Sequence, residues 1–150
     1  CNKIFISYLA LTKKYYERYE IVDDLTKVHD DVLKVTICDF SGSELNSNKY
    51  FKEYKDKLQV TVSGEIWLDI TAKGVNKGVA IEKVQEMLDI TPRETMVFGD
   101  YLNDLEMMGK AYYSFAMANA HEDLKKVSRF TAKSNNDNGV VEAIKEVVKF

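Results

Sequence analysis

Three oxygen-bearing side chains lie close together in one short segment of this chain. Asp100, Asn103 and Asp104 follow directly on the apolar run Met96-Val97-Phe98. The apolar run predicts a buried strand, and the polar residues then lie where that strand gives way to a helix. Ligands of open α/β sheets bind at the carboxyl ends of strands. Two carboxylates and an amide suit a hard cation such as magnesium, which usually works beside phosphate, so the segment predicts phosphate chemistry.

Each of these polar residues also has an ordinary structural interpretation. Gly-Asp is a common turn pair, and Asn and Asp are favoured at helix N-termini. These roles suit each residue singly. They do not explain why three acceptors fall within five positions, from Asp100 to Asp104.

Lys77 is the second candidate, because it lies just before a predicted helix. The N-terminal end of a helix is partly positive and disfavours lysine, whereas a bound anion would reverse that cost. The alternative is a solvent-facing lysine, which costs only about a few tenths of a kcal/mol. Lys73 competes for the same role from one turn further away.

Two further polar residues are interpreted structurally. Asn119 follows an apolar strand and precedes a helix, so we expect it to cap that helix. His121 comes next in the same connection. It has no Ser, Cys or second His nearby in the sequence, so no catalytic role is given to it.

The elements that must position these residues change character near residues 70–74. Before that point the sequence predicts a strand over 32–38, a helix over 44–57 with Leu45, Phe51 and Tyr54 inward, and a hairpin over 58–70 with its turn at Ser63-Gly64. After it, strands over 95–98, 112–116 and 130–132 alternate with helices over 78–88, 103–109, 121–127 and 140–150. Such alternation indicates βαβ units and a parallel sheet. An apolar run at Ile4-Phe5-Ile6 and a short helix over 12–20 complete the prediction.

Composition excludes several classes of protein. The 150 residues are 45% hydrophobic with one Pro, which is a globular composition. A net charge of −3 without a basic stripe argues against a nucleic-acid partner. The longest apolar stretch is far shorter than the roughly 20 residues that cross a bilayer. Two cysteines form neither a disulfide framework nor a zinc site, so a cytoplasmic location is expected.

Taken together, these motifs resemble the haloacid dehalogenase-like superfamily, most closely its Cof-type phosphatases with a large C2-type cap. The matching segments are Asn76-Lys77-Gly78, Gly99 to Asp104, Met117-Ala118-Asn119-Ala120 and the loop over 134–139. The resemblance is specific from Val62 onward and weaker over residues 1–61.

The resemblance implies an α/β fold: the C-terminal part of a parallel Rossmann-like core over residues 73–150, and part of an α+β cap with an antiparallel sheet over residues 1–72. It implies that Asp100 binds Mg²⁺ and that Asn103 contacts phosphate. Of the two catalytic residues that it implies, Lys77 would neutralise the phosphoryl group and hold the nucleophile, and Asp104 would support the metal and the lysine. The implied activity is magnesium-dependent hydrolysis of a small phosphorylated metabolite, such as a sugar phosphate, through an aspartyl-phosphate.

One part of the family pattern is missing from these residues. The nucleophile is the first Asp of an Asp-x-Asp motif, and no two Asp residues here stand two apart. We therefore expect a fragment whose nucleophile lies upstream of Cys1, inactive by itself, with the missing N-terminal part as its partner. The exposed sheet edge left behind predicts self-association. A non-catalytic binding module and a phosphomutase-like member of the superfamily are the alternatives.

Overall fold

The computed structural model describes residues 12–148. These residues divide into two units, one ending at Leu33 and one beginning at Lys34. The expected apolar run Ile4-Phe5-Ile6 lies outside the described residues. Among the residues that are described, no helix has the length and apolar character that crossing a bilayer requires.

The first unit contains little regular structure in its described part. Residues 12–15 are helical, and a 3₁₀ turn covers Leu25–Lys27. The turn is capped by the Asp24 carboxylate, which accepts a hydrogen bond from the Thr26 N–H at 3.0 Å. The predicted helix over 12–20 is therefore wrong beyond residue 15. Residues 13–20 are all exposed, and short helices depend on packing for their stability.

The second unit opens with an antiparallel sheet in the order β1-β3-β2. Its strands are β1 (Lys34–Cys38), β2 (Leu58–Gly64) and β3 (Trp67–Ala72). Val62 pairs with Leu68, and both side chains are buried, as the predicted alternation requires. The observed turn lies two residues later than the predicted Ser63-Gly64. Gly64 pairs with Trp67 beyond a bulge, so Glu65 and Ile66 form the turn.

The predicted helix over 44–57 is a series of short turns instead. They cover Ser43–Ser47 (π), Asn48–Tyr50 (α) and Lys52–Tyr54 (3₁₀). The Ser43 hydroxyl donates to the Gly64 carbonyl at 2.7 Å, and the Ser47 N–H donates to the Asp39 carboxylate at 2.9 Å. These bonds bury the serines and leave Leu45 86% exposed, so the prediction that Leu45 points inward is wrong.

The same correction applies to the end of that segment. Tyr54 was predicted to point inward with Phe51, but its side chain is exposed. Phe51 is half-buried and contacts Tyr54, with ring centroids 6.1 Å apart. A continuous helix would have placed Phe51 and Tyr54, three residues apart, on neighbouring positions of one face. The backbone is instead broken between Asn48–Tyr50 and Lys52–Tyr54, which leaves Tyr54 exposed.

The remainder of the second unit is a parallel sheet with helices. The strand order is β4-β5-β6, with β4 at Met96–Gly99, β5 at Tyr113–Met117 and β6 at Phe130–Ala132. The helices are α1 (Lys77–Leu88), α2 (Leu105–Met108), α3 (Glu122–Val127) and α4 (Gly139–Val148). Short 3₁₀ turns cover Pro92–Glu94, Leu102–Asp104 and Asn135–Asp137. Parallel pairing of β4 with β5 and of β5 with β6 confirms the predicted βαβ arrangement.

One hydrophobic core lies between this sheet and its helices. Its most buried members include Val97, Met108, Ala116 and Leu124. α1 contacts the core through Ile81, and the buried amide of Gln85 donates to the Thr95 hydroxyl at 2.9 Å and to the Lys110 carbonyl at 2.8 Å. Buried polar groups are nearly always hydrogen-bonded. These two bonds join α1 to Thr95, just before β4, and to Lys110, just after α2.

Candidate active site

A buried carboxylate forms the centre of the candidate site. Asp104 is 3% exposed, and one of its oxygens, Oδ1, forms an ion pair with the Lys77 ammonium. Its other oxygen, Oδ2, accepts the backbone N–H of Asp100 at 3.0 Å and that of Tyr101 at 3.5 Å. Both oxygens are therefore occupied, as a buried carboxylate requires.

Two glycines make this arrangement possible. A Cβ at Gly99 would lie 2.7 Å from the Asp104 Cβ and 2.4 Å from the Met108 Cε. A Cβ at Gly78 would lie 2.8 Å from the Glu106 Cβ and from its carbonyl oxygen. Both contacts are closer than side chains tolerate. Glycine therefore lets the end of β4 approach Asp104 and lets α1 approach Glu106 in α2.

Lys77 reaches Asp104 because of where α1 begins. Asn76 caps the helix, its side-chain oxygen accepting the Val79 N–H at 2.9 Å, which makes Lys77 the first helical residue. The Lys77 side chain is 51% exposed, so its ammonium contacts Asp104 on one side and solvent on the other. The sequence prediction that Lys77 and Asp104 act together is consistent with this ion pair.

Asp100 is held at two points. Its carboxylate oxygen Oδ2 accepts the Asn135 side-chain amide at 2.9 Å. Its backbone carbonyl accepts the His121 N–H at 2.9 Å. Within residues 12–148, no protein donor is recorded for the second carboxylate oxygen, Oδ1. This half-buried carboxylate therefore keeps one oxygen available to a cation.

Asn103 lies between the two acids, on the 3₁₀ turn Leu102–Asp104. It is half-buried, and its amide has no recorded hydrogen bond with another described residue. No described residue therefore occupies this amide. The structure brings Asp100, Asn103 and Asp104 into one turn beside Lys77, whereas Lys73 does not take part in the ion pair.

Asn119 does not have the capping role that the sequence predicted. The cap of α3 is His121, whose Nδ1 accepts the Asp123 N–H at 3.1 Å. Asn119 instead accepts the Asn135 backbone N–H at 3.1 Å through its side-chain oxygen. Because the chain turns from Met117 to Ala120 before α3, Asn119 lies too early to cap it.

A second group of polar residues adjoins Asp100, and sequence reasoning missed it. His121 lies 3.5 Å from Glu44, measured from Nε2 to Oε2, and its ring contacts Tyr101 edge-on with centroids 5.6 Å apart. Burial raises the pKa of the Tyr101 hydroxyl, and the nearby carboxylates Glu44 and Glu65 raise it further. Nδ1 of His121 accepts the Asp123 N–H, which leaves Nε2 on the side of the ring that faces Glu44.

The oxygen atoms of this site can be compared with the ligands that Mg²⁺ prefers. No group of three or more His, Cys, Asp or Glu that could hold a metal is found in residues 12–148. Asp100 offers one free carboxylate oxygen, whereas both oxygens of Asp104 are already used. Hard oxygen donors suit Mg²⁺, which keeps several waters and takes only one or two carboxylates. The residues present therefore fit a Mg²⁺ ion held by Asp100 together with ligands from outside this set.

Comparison with known proteins identifies what this chain is similar to. A family model described as haloacid dehalogenase-like hydrolase matches residues 6–144. The 5-amino-6-(5-phospho-D-ribitylamino)uracil phosphatase YbjI of Escherichia coli (strain K12) is 31% identical over 93% of this chain and 52% of that protein. The phosphoglycolate phosphatase of Methanococcoides burtonii is 30% identical over 88% of this chain and 58% of that protein.

A solved structure agrees with these sequence relatives. SMU.1108c of Streptococcus mutans UA159 is 30% identical and superposes with a TM-score of 0.86, covering 96% of this chain and 55% of that one. The chain thus spans about half the length of the relatives that it matches.

Proposed function

The chain belongs to the Cof-type branch of the haloacid dehalogenase-like hydrolases, and we propose that it supplies half of the active site of a magnesium-dependent phosphatase. The observation that carries this proposal is the Lys77–Asp104 ion pair beside Asp100 at the carboxyl end of β4. A fixed cation next to a carboxylate with one free oxygen suits a phosphoryl group and its metal ion. In phosphoryl transfer, positioning and charge neutralisation supply nearly all of the catalysis.

The proposal gives each residue a role that is compatible with its contacts. The Lys77 ammonium neutralises the transferred phosphoryl group, and the buried Asp104 holds that ammonium in place. The Asn103 amide donates a hydrogen bond to a phosphate oxygen. Asp100 holds Mg²⁺ through its free oxygen, and the ion, when bound, offsets negative charge on the phosphoryl oxygens.

The proposed reaction needs a nucleophile that these residues do not supply. In the proposed scheme, a carboxylate attacks phosphorus while the bond to the leaving oxygen breaks, giving an aspartyl-phosphate. Water then attacks that phosphorus and releases inorganic phosphate, which regenerates the carboxylate. No Asp-x-Asp motif occurs in the 150 residues. We therefore assign the nucleophile to a part of the protein outside them, and we expect the 150 residues to bind phosphate without hydrolysing an ester.

The substrate that we propose is a small phosphorylated metabolite. The relatives named above are phosphatases of a phosphoribityl compound and of phosphoglycolate, both small phosphate esters. These substrates belong to those proteins. For this chain they support the chemical class only, a phosphate monoester of a small polar molecule.

The test is hydrolysis of para-nitrophenyl phosphate by the complete protein, in the presence and absence of Mg²⁺. Lys77→Met should lower kcat/KM by about 100-fold or more, because a preorganised charge aimed at the reacting group is lost. Lys83→Met is the matched control, since Lys83 is an exposed lysine of the same helix. We expect that variant to retain full activity.

Three results would count against parts of the proposal. Turnover without Mg²⁺ after chelation would contradict the metal requirement. Robust turnover by the 150 residues alone would contradict an external nucleophile. A complete protein that binds inorganic phosphate but hydrolyses no ester would instead indicate a non-catalytic binding module.

A further inference from the structure

We infer that Asn135 is a positioning residue that orients the Asp100 carboxylate for its metal ion, an inference that rests on the proposed function. The Asn135 side-chain amide donates to Asp100 Oδ2 at 2.9 Å across 35 residues of sequence. Asp100 was expected to bind the metal from its sequence motif alone. The loop over 134–139 resembles the family by its pattern, and that resemblance implies no role for the Asn135 side chain.

The backbone of Asn135, and of the loop that carries it, is itself held by hydrogen bonds. Its backbone N–H donates to the Asn119 side-chain oxygen at 3.1 Å, which ties the loop to the end of β5. The Ser134 hydroxyl accepts the Asn136 N–H at 3.2 Å, and the Ser134 carbonyl accepts the Gly139 N–H at 3.2 Å. The loop is thus closed at both ends before α4 begins.

These contacts decide which oxygen of Asp100 remains available. Oδ2 is occupied by Asn135, and the Asp100 carbonyl is occupied by the His121 N–H. A carboxylate fixed in this way presents Oδ1 in one orientation. Hydrogen bonds from outside the metal's own ligands commonly orient those ligands, and their loss typically weakens metal affinity by about 10- to 100-fold. Because Asn135 is exposed, we expect its effect at the lower end of that range.

The neighbouring residue Asn136 provides a matched control. It has the same side chain, is likewise exposed and lies in the same 3₁₀ turn. The Asn136 backbone N–H donates to the Ser134 hydroxyl, but its side-chain amide has no hydrogen bond with another described residue. A general effect of changing this loop should therefore appear in both Asn135→Ala and Asn136→Ala. An effect that acts through Asp100 should appear only in Asn135→Ala.

The experiment is titration of the complete protein with Mn²⁺, with free Mn²⁺ measured by electron paramagnetic resonance. Asn135→Ala should weaken Mn²⁺ binding by about tenfold, and Asn136→Ala should leave it within about twofold. Asn119→Ala should weaken binding less, because it acts only through the loop. Combining it with Asn135→Ala should add nothing further, since residues that act through one contact are not additive.

A kinetic readout separates positioning from loss of structure. At saturating Mg²⁺ the kcat of Asn135→Ala should return to that of the unmodified protein, with only the Mg²⁺ concentration for half-maximal rate raised. If Asn135→Ala and Asn136→Ala bound Mn²⁺ equally well while Asp100→Ala abolished binding, the role of Asn135 would be wrong and the metal site would stand. Unchanged binding in Asp100→Ala would overturn the proposed metal site itself.

Discussion

At the scale of single residues, Asp104 carries more of the site than its position in the sequence suggests. It is the most buried acid described in this chain, and it joins the Lys77 ammonium to the backbone of Asp100 and Tyr101. The carboxylate therefore links the cation that would face phosphate to the turn that carries the proposed metal ligand, Asp100. Its loss should disturb both.

This link has a measurable effect on stability. Lys77→Met leaves the buried Asp104 carboxylate without its ion-pair partner, and we expect a loss of about 1–3 kcal/mol in the free energy of unfolding. The two backbone N–H donors remain, so the loss should stay below that of a fully unpaired buried charge. Urea unfolding measures the change.

The double variant Lys77→Met/Asp104→Asn tests the cause. Removing the charge along with its partner should restore part of the lost stability, because no buried charge is then left unpaired. The two changes should therefore be non-additive. Strict additivity, or an equal loss in Lys83→Met, would contradict the ion pair as the source.

At the scale of elements, the close approach of β4 and α2 places Asp104 beneath the strand end. Gly99→Ala would put a Cβ 2.7 Å from the Asp104 Cβ and 2.4 Å from the Met108 Cε. Overpacking of this kind typically costs about 1–3 kcal/mol. We expect that loss in thermal or urea unfolding, together with weaker phosphate binding as Asp104 shifts.

Gly109 is the matched control for this prediction. It lies just after α2 with φ of −77°, and a Cβ there would meet nothing within 4 Å. Gly109→Ala should be neutral or stabilise by about 0.4–1 kcal/mol, because it restricts the unfolded chain. If both alanine variants had the same stability, the packing explanation would be wrong.

The observed strands and helices show which elements a sequence pattern can predict. The strands β4 to β6 were predicted within one residue of their observed bounds, since their apolar runs are buried on a sheet. The helix predicted over 44–57 was wrong, because burial of Ser43 and hydrogen bonds to Asp39 overrode the spacing of its large apolar residues. Hydrogen bonds between distant residues leave no periodic signal in a sequence.

The same limit of sequence patterns explains which residues of the candidate site could be predicted and which could not. Asp100, Asn103, Asp104 and Lys77 come from two short segments whose motifs are readable. The Asn135 amide reaches Asp100 from 35 residues away, and no local pattern distinguishes Asn135 from Asn136. Loop geometry alone separates these two residues, so only the structure could find the contact.

At the scale of the whole molecule, the described parallel sheet ends at β4. In the described residues β4 pairs only with β5, although Val97 within it is 4% exposed. An unpaired edge on a largely buried strand is a template for pairing with another chain. The division of the protein into cap and core near residue 72 also stays a prediction at this scale.

Self-association follows from this edge. The 150 residues alone should form oligomers or aggregates, whereas the complete protein should be monodisperse at the same concentration. Light scattering distinguishes the two, with circular dichroism to verify that helix content is retained. A well-folded monomer of the 150 residues would contradict the prediction.

We propose that one turn of the chain holds a metal ion through Asp100 while Lys77 holds the phosphate beside it. The most direct measurement is a crystal structure of the complete protein with Mn²⁺ and tungstate, a phosphate mimic, located by their anomalous scattering. We expect the Mn²⁺ peak at about 2.0–2.3 Å from Asp100 Oδ1, with tungstate oxygens in hydrogen-bond contact with the Lys77 ammonium and the Asn103 amide. Metal and tungstate peaks elsewhere, with Asp100 and Lys77 contacting neither, would contradict the account.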